Sequence, residues 1–540
     1  MRQPSKSGRA LTSLAAAALA ARDLRMAASA LTLLLALTLA GLVDRSPADA
    51  TSDTQAPHES RAAGDNVILV IGDDMGVETI RAYGEGDNPA HTPTLDALIE
   101  NGLLFQNAWA YPLCTPFRAS VLTGRHGFRT GVGTVVGGTA AELPYEELII
   151  PEVLDANPDL GVAHAAIGKW HLSTLRGNNA NTAPNRHGFS HYAGSLGVPA
   201  DYYAWERVVD GQAATSNDYV TSVQVDDALD WVSAQDGPFF LYLAFSAPHA
   251  PFHRPPDGMY SQTLPPGVFQ RGMDATPYFL AAIEALDHEL GRLLDSMDPA
   301  QRARTNVIFM GDNGSPGQAV QAPFERLRSK STLYQGGIWT PLLVSGPAVS
   351  EPGRVEDAPV SSVDLFATVL ELLGVEPQNW ASQTDSLSLL PYLQEPGRPP
   401  LRDWTFSEQF DGADRPEEDG KAIRDARYKY LRFDDGRRAL YDLEADPYED
   451  RNLLEGELDA DASAALDRLE EQLDRLLANP PSTPSPIAPA TATVATQAAP
   501  RTSTPSATSP SPATTSPPSS VTPSPDPGGT LYLPWLTRGP

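Results

Sequence analysis

The feature that most limits what this chain can fold into is a recurring pairing: a short apolar run that ends in a cluster of polar, chemically capable residues. Val67–Ile71, entered through Asn66, runs into Gly72-Asp73-Asp74. Val162–Ile167 delivers Gly168-Lys169-Trp170-His171, and Phe239–Phe245 delivers Ser246-Ala247-Pro248-His249-Ala250-Pro251. Val307–Met310 ends in Gly311-Asp312-Asn313-Gly314, and Pro341–Val344 reads as a further strand. Apolar runs without polar alternation mark strands buried on both faces. Amphipathic helices stand between them: Pro277–Leu294 carries Ile283, Leu286, Leu290 and Leu293 at helical spacing. Strands alternating with helices predict an α/β fold, a large and mostly parallel sheet sandwiched by helices. Open sheets of this kind place their ligands at the carboxyl ends of the strands. Two adjacent carboxylates there, Asp73 and Asp74, are costly to bury unless something positive meets them. The alternative is a pair of helix caps.

The second constraint is Cys114–Arg125, "CTPFRASVLTGR", which holds the only cysteine of 540 residues. A single thiol makes no internal disulfide. Pro116 and Arg118 follow at +2 and +4, and a helix-like run, Ala119–Leu122, stops at Gly124. Cys114 is therefore expected just before a helix N-terminus, where backbone N–H groups favour an anion. A buried, inert thiol is the competing reading.

C-x-P-x-R followed by T-G-R resembles the sulfatase signature, with Phe117 where the family most often has Ser or Ala. The remaining motifs follow in the family's order: D-D, C-x-P-x-R, G-K-W-H, P-H-x-P, G-D-N-G and S-K-x-T-L-Y-x-G-G. The resemblance extends across roughly residues 66–477, and "LYDLEADPYEDRNL" looks like the family's C-terminal subdomain. It implies an alkaline-phosphatase-like α/β fold with a smaller C-terminal α+β subdomain. It also implies that Cys114 is oxidised to formylglycine by a dedicated maturation enzyme, and that the aldehyde hydrate is the nucleophile. Gln335 and Trp339 depart from the Glu and Arg often found there, which bears on substrate specificity rather than on the reaction.

The same residues make chemical sense by type. Asp73, Asp74, Asp312 and Asn313 offer only oxygen, which suits Ca²⁺ or Mg²⁺ rather than Zn²⁺. The resemblance favours one Ca²⁺ over Mg²⁺ and adds the modified Cys114 to its ligands. Arg118, Lys169 and Lys330 supply positive charge for a transferring sulfuryl or phosphoryl group. His171 and His249 can carry protons near neutral pH. By resemblance, Arg118 holds the hydrate and Lys169 bridges it to the sulfate. His249 with Lys330 protonates the leaving oxygen, and His171 takes the proton that releases sulfate. His126, His187, His191 and His253 read as structural, with His187 and His253 placed to line the pocket.

The ends of the chain differ from its middle. A basic leader, the apolar run Met26–Val43 and the A-x-A site Ala48-Asp49-Ala50 read as a secretory signal peptide over residues 1–50. Residues 480–529 are almost all Pro, Ser, Thr and Ala, a composition that cannot bury enough apolar surface to fold and reads as an extended, disordered stalk, a candidate for cell-surface attachment. Residues 530–540 form a short apolar tail, read as either a sorting or anchoring signal or an inconsequential end. Between these, residues 51–400 are expected to be catalytic. Residues 401–479 should form a small antiparallel sheet closed by a helix, Ala462–Leu477. The formal charge of −29 argues against nucleic acid as a partner. It also requires any sulfated ligand to meet local positive charge.

The expected protein is an exported or cell-surface sulfatase acting on a sulfated small molecule or glycan. Two rivals are compatible with the same residues. One is a phosphate or phosphonate monoester hydrolase on the same fold. The other is a surface protein that binds sulfated glycans without cleaving them.

Overall fold

The computed structural model describes residues 65–479, apart from 138–139, 175–178 and 413–414. The proposed leader, stalk and tail lie outside the described residues. No described helix is long and apolar enough to cross a membrane.

In chain order the strands are β1 (Asn66–Gly72), β2 (Gly102–Phe105), β3 (Ala108–Trp109), β4 (Ala163–Lys169), β5 (His191–Ser195), β6 (Trp205–Val209), β7 (Gln212–Ser216) and β8 (Phe239–Ala244). They continue with β9 (Thr305–Gly311), β10 (Leu342–Ser345), β11 (Arg354–Glu356), β12 (Val360–Ser361), β13 (Thr405–Gln409), β14 (Gly420–Arg424), β15 (Tyr428–Phe433) and β16 (Arg438–Asp442). Ten strands form one sheet in the order β11-β2-β10-β9-β1-β8-β4-β5-β6-β7. Its centre, β9-β1-β8-β4-β5, is parallel. Antiparallel β10 borders it on one side and the β6–β7 hairpin on the other. The sheet is thus parallel where the apolar runs are longest and mixed at its flanks. The flanking strands are short or carry exposed polar residues, so they lack the continuous apolar signal.

Alternate residues of β1 serve two cores. Ile68 and Val70 join a cluster with Ile283, Leu286, Leu290 and Leu293 of the helix Thr276–Ser296. Val67, Leu69 and Ile71 join a second cluster with Phe117, Val121 and Leu122 of the helix Cys114–Thr123 and with Leu365 and Val369 of the helix Asp364–Leu372. The sheet is therefore covered on both faces. The helix Pro93–Glu100 starts after Thr92, with Pro93 in its first turn, but the Thr92 hydroxyl does not cap it. Asp287, from the helix Thr276–Ser296, accepts from the Thr94 and Leu95 amides instead, which ties the two helices together.

The C-terminal sheet is antiparallel, β13-β14-β15-β16. The helix Ala460–Ala478 packs on it through Ala465, Leu469, Leu473 and Leu476, against Phe406, Ile423 and Tyr430. Each fully buried leucine there contributes ~1.5–3 kcal/mol. Leu466 is only half-buried, because the contact stripe runs through Ala465.

Candidate active site

Parallel register brings the strand ends to one edge. Gly72 pairs with Gly311, and Ala244 pairs with both Ile71 and Gly168. Asp73 follows β1, Asp312 follows β9, Lys169 ends β4, and the loop with His249 follows β8. The Asp73 amide donates to the Ala247 carbonyl (3.1 Å) and the Asp312 amide to the Gly72 carbonyl (3.0 Å), so the three exits are stitched together. Gly168 has φ +107°, and a Cβ there would lie 1.9 Å from the Ala244 carbonyl oxygen. Only glycine lets β4 approach β8 closely enough to deliver Lys169.

Cys114 is the first residue of its helix rather than the residue before it. Pro116 falls in the first turn, where its missing N–H leaves no bond unmade, and Gly124 ends the helix in the left-handed conformation with φ 66°. The thiol is buried. Thr115 donates to the His171 carbonyl (2.9 Å), which fixes the Cys114 turn against the Lys169-Trp170-His171 segment. Lys330 arrives from a loop tied to both neighbours: its amide donates to the Ser315 carbonyl, and the Ser331 amide donates to the Pro112 carbonyl. A Cβ on Gly314 would meet the Gly336 carbonyl at 1.8 Å, so this loop packs backbone against backbone.

The charges interlock. Lys169 Nζ donates to Asp73 Oδ2 at 2.6 Å. Arg118 donates to Asp312 Oδ2 at 3.1 Å and to the Lys169 carbonyl at 2.8 Å, and lies 3.7 Å from Asp73 Oδ1. Lys330 pairs with Asp74 Oδ1, and Asn313 Nδ2 donates to the same oxygen at 2.8 Å. The Asp74 amide donates to Asp312 Oδ1 at 2.8 Å. His249 Nδ1 sits 2.6 Å from the Ala250 carbonyl, which can only accept, so Nδ1 donates and leaves Nε2 facing Asp74 Oδ2 at 3.7 Å. All ten residues named in the sequence analysis for catalysis or metal binding therefore lie in or against one cluster at the strand ends.

Burial and charge set the protonation there. Burial opposes ionisation of Asp73, but Lys169, His249 and Arg118 outweigh it and hold its carboxyl far below the usual range. Burial, reinforced by Asp73, pushes Asp312 up. Burial also raises the Cys114 thiol against the pull of Lys169 and Lys330, and lowers His171 well below an ordinary imidazole, with Lys169 and Arg118 adding to the fall. Asp74, His171 and Ser331 all have positive φ (76°, 56° and 69°). Such strain in non-glycine residues costs on the order of 1–3 kcal/mol each and collects at functional sites.

The cluster fits a divalent cation. One ligand-capable atom from each of Asp73, Asp74, Cys114 and His249 lies within 4.8 Å of the others. Asp73 Oδ1 and Asn313 Oδ1 are buried oxygens with no hydrogen-bond partner. A hard cation would satisfy such oxygens. Asp312 accepts from Arg118 and from the Asp74 amide beside this group.

A sulfatase family model matches residues 65–375, more than half of the chain. The chain belongs to the sulfatase family. A second model, described as N-sulphoglucosamine sulphohydrolase, C-terminal, matches residues 325–479. The chain is 32% identical to N-acetylgalactosamine-6-sulfatase of Sus scrofa over 398 residues, covering 67% of this chain and 69% of that protein. It is 32% identical to the Homo sapiens enzyme of the same name over 371 residues, covering 61% and 65%. The crystal structure of Ps i-CgsB superposes with a TM-score of 0.65 at 23% identity, covering 79% of this chain and 95% of that one, a likeness of fold. The class of activity is sulfuric ester hydrolysis.

In this sulfatase, Gln335 and Trp339 sit behind the site. Trp109 Nε1 donates to Gln335 Oε1 at 3.0 Å, and the Gln335 amide donates to Glu449 of the C-terminal region. Trp339 Nε1 donates to the Gln106 carbonyl at 2.8 Å. Gln335 ties the segment that follows Lys330 to Trp109 and to the C-terminal region, and Trp339 ties it to Gln106. His126 accepts from or donates to the Tyr111 hydroxyl at 2.9 Å, and His191 pairs with Asp210 at 2.9 Å. His187 is buried between Trp170 and Tyr145. His253 stacks on Tyr202 with ring centroids 3.7 Å apart. Tyr202 escaped the sequence reading: its hydroxyl donates to the Ser246 and His249 carbonyls and so holds the His249 loop. Nothing in its neighbourhood of aromatic residues distinguishes it before the loop is folded.

Proposed function

We propose that this sulfatase hydrolyses a sulfated saccharide through a nucleophile made from Cys114. What supports the reading is the buried cluster in which Lys169, Arg118 and Lys330 face Asp73, Asp312 and Asp74 around the head of the Cys114 helix. The thiol itself is a poor nucleophile there, because burial raises its pKa and the thiolate is the reactive form. Conversion to formylglycine by a maturation enzyme removes that difficulty. The saccharide class is supported by the names of the porcine and human relatives.

A divalent cation, Ca²⁺ in preference to Mg²⁺, would be held by Asp73, Asp74, Asn313 and Asp312, and would neutralise sulfate charge and lower the pKa of a hydroxyl. The chain's own groups do the rest. Arg118 orients the aldehyde hydrate, and Lys169 faces the sulfate. The hydrate, ionised by loss of one hydroxyl proton to solvent, would supply the oxygen that attacks sulfur as the ester oxygen departs, and His249 Nε2 with Lys330 would give the departing oxygen its proton. His171, kept neutral by burial and with Nδ1 unpartnered, takes the proton of the remaining hydroxyl. Sulfate then leaves and the aldehyde returns. The leader further supports export to the cell surface or medium.

The deciding assay compares release of p-nitrophenol from its sulfate and phosphate esters. The reading expects the sulfate ester to be the better substrate. Preference for the phosphate ester would transfer the site to the phosphomonoesterase reading.

A further inference from the structure

The segment that carries Lys330 is held at both flanks by one residue of the C-terminal region, Glu449 of the "LYDLEADPYEDRNL" run. Before the lysine, Arg328 Nη1 donates to the Glu449 carbonyl; after it, the Gln335 amide donates to Glu449 Oε2. Between these ties the backbone is tightly packed. A Cβ on Gly337 would lie 2.1 Å from the Thr332 carbonyl oxygen and 2.8 Å from that of Ser329, so the turn with Lys330 rests directly on the helix Gln335–Ile338. Lys330 leaves that turn to pair with Asp74. Glu449 is itself fixed: it is 1% exposed and has φ +66°. Its Oε1 lies 2.6 Å from Nζ of Lys429 on β15, and both side chains are buried. Lys429 Nζ also stands 5.0 Å from the centre of the Trp109 ring, whose Nε1 donates to Gln335 Oε1 at 3.0 Å. Glu449, Gln335, Trp109 and Lys429 thus close a ring of contacts.

We propose that Glu449 is a positioning residue for Lys330: by clamping both flanks of the segment, the C-terminal subdomain fixes the ammonium group where the departing oxygen meets it. The proposal rests on the reading above in which Lys330, with His249, serves that oxygen. A buried ion pair such as Lys429–Glu449 does little for stability once desolvation is counted, and a non-glycine residue at positive φ marks a place where geometry outweighs local comfort. Both features are accounted for if the pair exists to aim the Glu449 carboxylate at the Gln335 amide. The demand on such aim is strict, because a shift of about 1 Å arising far from the reacting atoms can cost about 10²-fold in rate.

The test measures kcat/KM of the full chain over a series of aryl sulfates, from p-nitrophenyl to phenyl sulfate. Proton delivery matters more as the leaving oxygen becomes more basic, so its loss steepens the dependence of rate on leaving-group pKa. K330A should show that steepening. E449A displaces the lysine rather than removing it, so its loss should be a fraction of the roughly 10²–10⁴-fold that proton transfer supplies: about tenfold on phenyl sulfate and about twofold on p-nitrophenyl sulfate. R328M cuts only the tie to the Glu449 carbonyl, leaves the buried ion pair in place, and should steepen the dependence less. In the K330A background neither change should steepen it further, since the group being positioned is gone. Equal losses across the series, which a general loosening of the fold would give, or further steepening in E449A/K330A would overturn the proposal. Where E449A does not fold, R328M decides, and an unaltered dependence in R328M overturns it. An unaltered dependence in K330A would instead strike the role given to Lys330, which is scored on its own variant.

Discussion

Lys169 Nζ and Asp73 Oδ2 lie 2.6 Å apart with both side chains fully buried, although the residues come from strands separated by β8. Two charges taken out of water are weak evidence for stability, because desolvation offsets most of their attraction. The pair is better explained by what it prepares: a fixed cation and a fixed carboxylate beside the Cys114 helix. Replacing Lys169 by Ala should lower kcat for p-nitrophenyl sulfate by about 10²–10³-fold, as for loss of one preorganised donor. Arg is longer and planar and should not restore it. Steady-state kinetics on K169A and K169R, with circular dichroism to confirm folding, check this.

His249 is oriented by its own neighbour, with Nδ1 donating to the Ala250 carbonyl and Nε2 directed at Asp74. If Nε2 delivers the proton to the leaving oxygen, H249A should cost about 10²–10⁴-fold on a saccharide sulfate. The loss on p-nitrophenyl sulfate should be smaller, since that leaving group needs little protonation. The ratio of the two kcat/KM losses measures the role. Equal losses would assign His249 to binding.

The unpartnered oxygens of Asp73 and Asn313 imply that the cation contributes to folding as well as to turnover. Dialysis against a chelator should abolish activity and lower Tm, and Ca²⁺ should restore both. A cation at a hundred times its Kd stabilises by about 2.7 kcal/mol, so the Tm shift is readable by calorimetry without reference to activity.

How much of this was visible before folding depends on the kind of signal. The central strands announced themselves because burial on both faces demands an unbroken apolar run, as in Val67–Ile71. β6 and β7 did not, because they are partly or largely exposed, and β5 did not, because His191–Ser195, although buried, carries no apolar run. The site was legible as motifs at strand ends, since Asp73, Lys169 and Asp312 end or closely follow their apolar segments and His249 lies in the loop just beyond Phe239–Phe245. Cys114, expected just before the helix, is its first residue, because Pro116 falls in the first turn, where proline is tolerated. Long-range supports were invisible. Tyr202 beneath His249, Asp287 capping Pro93–Glu100 and Glu449 beneath Gln335 depend on contacts between segments far apart in sequence.

Glu408 offers a stability prediction independent of catalysis. It is buried, one carboxylate oxygen accepts from the Phe128 amide at 2.7 Å, and burial pushes its pKa up to about 7 from the ordinary 4.5. A raised acid is stabilising while protonated, so its contribution is complete below about pH 4.5 and is lost as pH rises through 7. E408Q keeps the acceptor without the charge. Relative to wild type it should gain on the order of 3 kcal/mol between pH 5 and pH 8. Denaturant unfolding of both proteins at the two pH values checks the sign, and a gain at the acidic end would refute it.

The most direct measurement is a mass spectrum of the tryptic peptide Ala82–Arg118 from catalytically active protein made in its own host. The account predicts that the CH₂–SH of Cys114 has become an aldehyde in proportion to specific activity. Full sulfate-ester turnover by protein in which Cys114 still carries its sulfur would contradict it.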